Sequence, residues 1–208
     1  MIVLLWDLDG TIQDSETLAK EGTYHGFRQI LGRDPTESEL EQLRGRPVPL
    51  VYKEWFDDEL AGRILEVGTR FYQERSHRIL CYPEVPEVLR ELKSKGYKQG
   101  IVSSKRRFHV IREITAKGLD VFFSTIIAQE DTMKHKPSPV PLLLAADQLR
   151  VSPKDCIYIG DQPTDIEAGK AAGMTTIGAL WGDGQIKRLN MACPSMLAYT
   201  PKDILNRF

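Results

Sequence analysis

The sequence predicts an α/β fold: a three-layer core built on a parallel sheet, with a small all-helical domain inserted near the amino terminus. Short apolar runs alternate with helical patterns over residues 86–177, which is typical of right-handed βαβ units. A further apolar run stands alone at residues 2–6, before a block that contains helical patterns only. We therefore expect a core domain of residues 1–14 and 80–208, interrupted by a helical domain of residues 15–79.

The first strand is predicted over residues 2–6, a run of five apolar residues. Such a run is too short to cross a membrane and has the length of a strand buried on both faces. It leads directly into Asp7-Leu8-Asp9-Gly10-Thr11. Side chains two apart in an extended segment point the same way, so both carboxylates start together at a strand end, where open α/β sheets bind ligands. A solvated Asp-Gly turn is the alternative interpretation.

The helical block carries four amphipathic patterns, at residues 15–32, 36–45, 48–56 and 60–78. Thr36 and Glu39 have the spacing of a capping box, which indicates that the second helix begins at Thr36. The insertion leaves the core directly after the two aspartates. We therefore expect it to lie over the strand ends as a lid.

The remainder of the chain alternates between the two kinds of element. Strands are predicted at residues 99–103, 124–128, 156–159 and 174–177, and helices at residues 86–95, 105–117, 141–149 and 164–172. Beyond Gly178 the pattern is weak, with an edge strand expected at residues 196–199 and a last helix at residues 201–208. The role of residues 178–208 stays open at this point.

Composition narrows the functional classes. The chain has 208 residues, 27% of them charged, and a net charge of −1, which argues against a nucleic-acid-binding surface. The compact basic run Lys105-Arg106-Arg107 is interpreted as a solvated helix face. Three widely spaced cysteines, without a C-x-x-C pair, argue against a disulfide framework or a zinc site. With neither a signal peptide nor a membrane span, a cytoplasmic protein without a membrane partner is expected.

Polar residues follow four of the predicted strands: Asp7, Asp9 and Thr11, then Ser103 and Ser104, then Lys136, then Asp161 and Asp165. The carboxyl ends of parallel strands meet at one edge of a sheet, so these side chains are expected to converge. Asp7 and Asp161 would form a hard oxygen site suited to Mg²⁺. Ser103 and Lys136 would supply a hydroxyl and a fixed cation to a transferring phosphoryl group.

These segments resemble the four ordered motifs of the haloacid dehalogenase superfamily: Asp7-Leu-Asp-Gly-Thr11, Ser103, Lys136-Pro137, and Gly160-Asp161 with Asp165. The helical insertion is similar to the small cap of the phosphoglycolate phosphatase-like and β-phosphoglucomutase-like branch. The resemblance implies a Rossmann-like core. It also implies an Mg²⁺-dependent phosphomonoester hydrolase that acts on a small phosphorylated metabolite through an aspartyl-phosphate.

The resemblance also assigns roles. Asp7 would be the nucleophile and a metal ligand, and Asp9 the general acid and base, which binds the metal through its backbone carbonyl. Asp161 would complete the metal site. Asp165 would contact the metal ligands without binding the metal itself, or would orient Lys136. The phosphoryl group would be held by Gly10, Thr11, Ser103, Ser104 and Lys136.

Two positions depart from the family pattern, and several functions stay open. Gln13 stands where a small or apolar residue is commoner, and Ser104 where asparagine is frequent. A phosphomutase is an alternative, although residues 17–20 lack the histidine that mutases of this branch carry. A non-catalytic binding module on the same fold is another, opposed by the retained charged residues. The substrate is not determined, and either a monomer or a homodimer is expected.

Substrate specificity is expected to reside in the helical domain. Arg44 and Arg46 flank Gly45 between two of its helices. A guanidinium there would suit an anionic group at the non-phosphate end of a substrate. The alternative is a solvated turn, since arginine is mostly exposed.

Overall fold

A six-stranded sheet forms the centre of the larger of two units of the chain. The computed structural model describes residues 2–207, so the terminal residues of the predicted core lie outside the described part. The larger unit comprises the residues up to Asp14 and those from Cys81 onward, and the smaller unit is Ser15–Leu80. Strands of the chain are β1 (Val3–Trp6), β2 (Gln13–Asp14), β3 (Leu80–Cys81), β4 (Lys98–Val102), β5 (Thr125–Ile127), β6 (Cys156–Gly160), β7 (Thr175–Ala179) and β8 (Met196–Ala198).

The sheet has the strand order β5-β4-β1-β6-β7-β8, and each neighbouring pair is parallel. The predicted α/β fold with a parallel sheet is therefore confirmed. Strand β1 lies between β4 and β6, so the segment that follows it is flanked by the ends of both. This order brings together polar residues from chain segments more than ninety positions apart.

Helices of the smaller unit are α1 (Glu16–Leu31), α2 (Glu37–Leu43), α3 (Val48–Trp55) and α4 (Asp58–Arg75). The capping box is confirmed, because Thr36 Oγ1 accepts from the Glu39 backbone N–H and the Glu39 carboxylate accepts from the Thr36 backbone N–H. Helices α1 and α4 approach closely at glycines. A Cβ at Gly26 would lie 2.8 Å from the carbonyl oxygen of Ile64, and one at Gly68 2.9 Å from that of Gly22. Any larger residue would separate the helices.

Helices of the larger unit are α5 (Val85–Ser94), α6 (Arg107–Ala116), α7 (Val140–Leu149), α8 (Pro163–Ala171), α9 (Ile186–Ala192) and α10 (Lys202–Leu205). Side chains of β1 alternate between the two faces of the sheet. Leu4 and Trp6 pack with apolar residues of α5 and α6, and Val3 and Leu5 pack with those of α7 and α8. This alternation produces three layers, and burying each such side chain contributes about 1.5–3 kcal/mol.

The structure refines the predicted elements mainly at their ends. Helix α6 begins at Arg107 rather than at residue 105, and the predicted helix at residues 60–78 begins at Asp58 and ends at Arg75, followed by a 3₁₀ turn. Helix α9 lies in the stretch where the sequence pattern was weak. The last helix is short, and position 208 of its predicted span lies outside the described residues. No helix among residues 2–207 is both long and apolar enough to cross a membrane.

Candidate active site

Three strand ends supply the central residues of the candidate site. The Asp7 backbone N–H donates to the Ile159 carbonyl at 2.8 Å, and the Ser103 N–H donates to the Ile127 carbonyl at 2.9 Å. The ladder of the sheet thus continues one residue beyond β1 and β4. Asp161 directly follows β6, which neighbours β1. The backbone at Asp7 and Ser103 is therefore held by the sheet rather than by a free loop.

Asp7, Asp161 and Asp165 form a cluster of buried carboxylates. One oxygen from each lies within 4.8 Å of the others, and the three residues are 7%, 2% and 1% exposed. Like charges at this separation repel strongly in a buried environment. Carboxylate oxygens are the ligands that Mg²⁺ and Ca²⁺ prefer. The donor set therefore fits a hard divalent cation.

A buried lysine meets the same cluster. Lys136 Nζ lies 3.0 Å from Asp7 Oδ1 and 2.6 Å from Asp165 Oδ1, and it donates to Tyr158 Oη at 3.0 Å. Burial by itself would lower the pKa of Lys136, but Asp165 and Asp7 outweigh it and hold that pKa well above its usual value. Lys136 is therefore a permanent cation at the edge of the carboxylate cluster.

Asp7 has an unusual pKa for a carboxylic acid. Burial raises it to about 7, the nearby Lys136 opposes the rise, and Asp165 and Asp9 add to it. An opposite charge close to a carboxylate favours its ionised form. A divalent cation beside Asp7 would therefore help to keep this carboxylate charged and nucleophilic.

Hydrogen bonds orient the other two carboxylates. Asp161 accepts from Thr11 Oγ1 at 3.0 Å and from the side-chain amide of Gln162. Asp165 accepts from the Gln162 backbone N–H at 2.9 Å. Gly10 has a φ of +78°, and a Cβ there would lie 2.5 Å from Asp161 Oδ2. Only glycine permits both this turn and this close approach.

Asp9 lies in a different polar environment. Its Oδ1 accepts from Gln13 Nε2 and from Lys105 Nζ, each at 2.9 Å. Lys105 Nζ also lies 2.6 Å from Glu113 Oε2, and the lysine side chain is only 12% exposed. The interpretation of Lys105 as part of a solvated helix face is therefore wrong. It precedes α6, and its ammonium is drawn inward by two carboxylates.

Comparison with known proteins identifies the family. The family model described as haloacid dehalogenase-like hydrolase matches residues 4–179. The chain belongs to the haloacid dehalogenase-like hydrolases. The resemblance in the four sequence motifs is thereby confirmed.

Relatives in this hydrolase family align over nearly the whole chain. A phosphoglycolate phosphatase from Aquifex aeolicus is 32% identical over 99% of this chain and 95% of its own length. A pyrophosphatase PpaX from Oceanobacillus iheyensis is 29% identical over 97% and 94%. A crystal structure described as a predicted phosphoglycolate phosphatase from Haemophilus somnus superposes with a TM-score of 0.90 at 22% identity, covering 99% of this chain and 96% of that one. That superposition supports the fold.

The remaining predicted site residues of the hydrolase are placed as follows. Ser103 is buried directly after β4, and its Oγ accepts from the Lys105 backbone N–H at 3.2 Å; Ser104 follows it and is half-buried. Arg44 and Arg46 belong to the helical unit. Within that unit Arg44 pairs with Glu41 at 3.1 Å, and Arg46 pairs with Glu54.

Several polar contacts of the site were not anticipated from the sequence. Tyr158 lies inside β6, where an aromatic residue in an apolar run indicates core packing. Its hydroxyl nevertheless donates to the Val102 carbonyl at 2.9 Å, and burial, followed by Asp165, raises its pKa well above the usual value. Trp181 Nε1 donates to the Thr11 carbonyl at 2.8 Å. The contacts of Glu113 were also not anticipated. The one signal that could have indicated them was a charged residue on the inner face of helix α6.

Proposed function

We propose that this hydrolase is an Mg²⁺-dependent phosphomonoesterase that acts on a small phosphorylated metabolite through an aspartyl-phosphate on Asp7. The observation that supports this most is the buried carboxylate cluster with Lys136 against it, 3.0 Å from Asp7 Oδ1. Such a cluster would repel a phosphate dianion by itself. A divalent cation bound beside Lys136 would neutralise the net negative charge of the cluster and permit the approach of the phosphate.

The metal would be held by the side chains of Asp7 and Asp161 and by the backbone carbonyl of Asp9. When bound, Mg²⁺ supplies positive charge to the phosphoryl oxygens. Asp165 is suited to another task, because its oxygens already bind Lys136 Nζ and the Gln162 backbone N–H. We assign it to the orientation of Lys136.

The chemistry divides into two steps. In the first, a carboxylate oxygen of Asp7 attacks phosphorus, the bond to the alcohol oxygen breaks, and Asp9 gives that oxygen a proton. In the second, Asp9 removes a proton from water, the water oxygen attacks phosphorus, and Asp7 is released together with inorganic phosphate. Throughout, the ammonium of Lys136 and the hydroxyl of Ser103 would bind the phosphoryl oxygens, assisted by the N–H groups of the Gly10 turn and by Ser104.

Phosphoglycolate is the leading phosphomonoester candidate, because a relative at 32% identity carries that name. Inorganic pyrophosphate, a phosphoanhydride whose leaving group is phosphate and not an alcohol, is the alternative substrate, because a relative at 29% identity is named a pyrophosphatase. Both have a second anionic group, which a cap arginine would recognise. A phosphomutase would instead pass the phosphoryl group to a second hydroxyl. The absence of a histidine at residues 17–20 disfavours that reaction.

The test is release of inorganic phosphate from a panel of phosphoglycolate, pyrophosphate, a hexose phosphate and a nucleoside monophosphate. We expect release with Mg²⁺, loss of release with a chelator, and recovery when Mg²⁺ is restored. Release that a chelator leaves unchanged would contradict the metal assignment. No release from any compound would favour the binding-module alternative.

We also propose a cytoplasmic location, because the three cysteines are free thiols and a reducing compartment keeps thiols reduced.

A further inference from the structure

A second cluster of buried charges lies behind the acid/base candidate, outside the metal and phosphoryl contacts. Glu113 is 2% exposed and projects from α6. Its carboxylate accepts from both Lys105 Nζ and Gln13 Nε2. The same two donors reach Asp9 Oδ1. Glu113 therefore anchors two side chains that in turn contact Asp9.

The turn that carries Asp9 is closed by its own backbone. The Gly10 N–H donates to the Gln13 carbonyl at 3.0 Å, and the Gln13 N–H donates to the Leu8 carbonyl at 3.1 Å. Gln13 thus holds both the backbone of the turn and the Asp9 side chain. Its amide oxygen accepts from Lys117 Nζ at 3.0 Å, which leaves the amide no alternative orientation with the same contacts.

Charge balance explains why these groups tolerate burial. Asp9 and Glu113 are matched by the ammonium groups of Lys105 and Lys117. Burial, together with the neighbouring Lys105 and Arg106, lowers the pKa of the adjacent His109 to about 4, so that ring stays neutral near pH 7. A buried network in which every donor has an acceptor is rigid as well as satisfied.

We propose that Lys105 and Gln13 are positioning residues that hold the Asp9 carboxylate in place for proton transfer, with Glu113 as their common anchor. This inference rests on the proposed acid/base role of Asp9. Proton transfer in a transition state requires the donor to be within hydrogen-bond reach of the leaving oxygen, and it typically contributes 10²–10⁴-fold in rate. Two donors on one carboxylate oxygen restrict its rotation and maintain that reach.

Two kinds of leaving group should respond differently to the loss of these contacts. An alkoxide leaving from an alkyl phosphate needs the proton from Asp9, whereas p-nitrophenolate leaves without it. A misplaced Asp9 should therefore slow the first chemical turnover of an alkyl phosphate and spare that of p-nitrophenyl phosphate. Water attack on the aspartyl-phosphate also needs Asp9 as base, so the later turnovers of both substrates should be slow.

The experiment compares first-turnover rates of an alkyl phosphate and of p-nitrophenyl phosphate, with Mg²⁺ present, in the wild type and in Gln13→Met and the double variant Lys105→Met/Glu113→Gln. The double variant keeps the net charge of the buried cluster, and Gln13→Met keeps side-chain volume while removing the donor. Lys170→Met is the control, the same lysine-to-methionine change elsewhere in the α/β unit. Lys170 Nζ donates to the Ala192 carbonyl at 2.9 Å rather than to Asp9.

We expect the alkyl rate to fall at least about thirtyfold in both test variants, which is a fraction of the full acid contribution. The p-nitrophenolate burst should remain within about threefold of the wild type and be followed by a slow phase. Equal losses on both substrates, or none in a variant that melts as a folded protein, would overturn the positioning role. If the wild type releases no phosphate from either compound, the proposed function fails instead.

Discussion

The two units of the chain use charged residues in opposite ways. In the α/β unit five charged side chains are buried, namely Asp7, Glu113, Lys136, Asp161 and Asp165, and these are all the buried charges among residues 2–207. The ion pairs of the helical unit have at least one exposed partner. Arg70 and Glu66, for example, are each 67% exposed on their side chains. The buried charges of the α/β unit therefore cost folding free energy, whereas the exposed charges of the helical unit cost almost none.

This difference indicates where function resides. An exposed ion pair contributes about 0–1 kcal/mol, because water screens both charges. Removing one partner of a buried pair costs about 3–5 kcal/mol, because the other charge stays behind without compensation. A fold that needed only stability would fill these positions with apolar residues. The buried charges of the α/β unit are therefore best explained by chemistry, and the following substitutions test that contrast.

The largest effect is expected from Asp7→Asn. The amide would remove the nucleophile, so we predict at least about a 10³-fold loss of phosphate release, in line with losses on removing other nucleophiles. The measurement is phosphate release together with acid trapping of the phosphoenzyme. A phosphorylated Asp7→Asn protein would disprove the assignment of Asp7.

Lys136→Met should have the next largest effect, on stability. In metal-free protein the free energy of unfolding is expected to fall by about 3–5 kcal/mol, because Asp7 and Asp165 lose their shared cation. Denaturant titration with and without Mg²⁺ measures this, and added Mg²⁺ should recover part of the loss. The control is Lys154→Met, an exposed lysine of the same unit. Equal changes in the two variants would remove the contrast between buried and exposed charge.

A smaller effect is expected at Arg44 and Arg46. If either recognises the non-phosphate end of the substrate, its replacement by alanine should raise KM for the preferred substrate about tenfold, equivalent to about 1.4 kcal/mol. The existing pairs with Glu41 and Glu54 are exposed and weak enough to be exchanged for a substrate anion. Activity toward a small aryl phosphate should change much less. Uniform losses across all substrates, or none, would support the solvated-turn interpretation.

The smallest effect is expected from Arg70→Gln. Its pair with Glu66 spans one helical turn in full solvent, at 2.7 Å. Such pairs contribute about 0.2–0.5 kcal/mol, so the unfolding free energy should change by less than about 1 kcal/mol. Denaturant titration at low and high salt provides the measurement. A loss comparable to that of Lys136→Met would show that exposed pairs of the helical unit carry real stability.

The sequence by itself was sufficient to predict the α/β fold, the parallel sheet and the family. The fold and the sheet follow from local periodicity, namely the apolar run before Asp7 and the alternation of strands and helices. The family followed from the resemblance of four short motifs to those of known hydrolases. Capping at Thr36 was predictable for the same reason, because its partner Glu39 lies three positions away. Patterns of this kind depend on residues that lie within a few positions of one another in the sequence.

Tertiary structure alone decided which side chains share a partner. Lys105 contacts Asp9 across 96 positions of the chain, and Gln13 contacts Glu113 across 100. In the sequence Lys105 belongs to an ordinary basic run, and Tyr158 to an ordinary buried strand. Their roles depend on how strands β1, β4 and β6 are ordered and how α6 packs beside them. No local propensity encodes such contacts, because they form only when distant segments are brought together by the burial of the sheet.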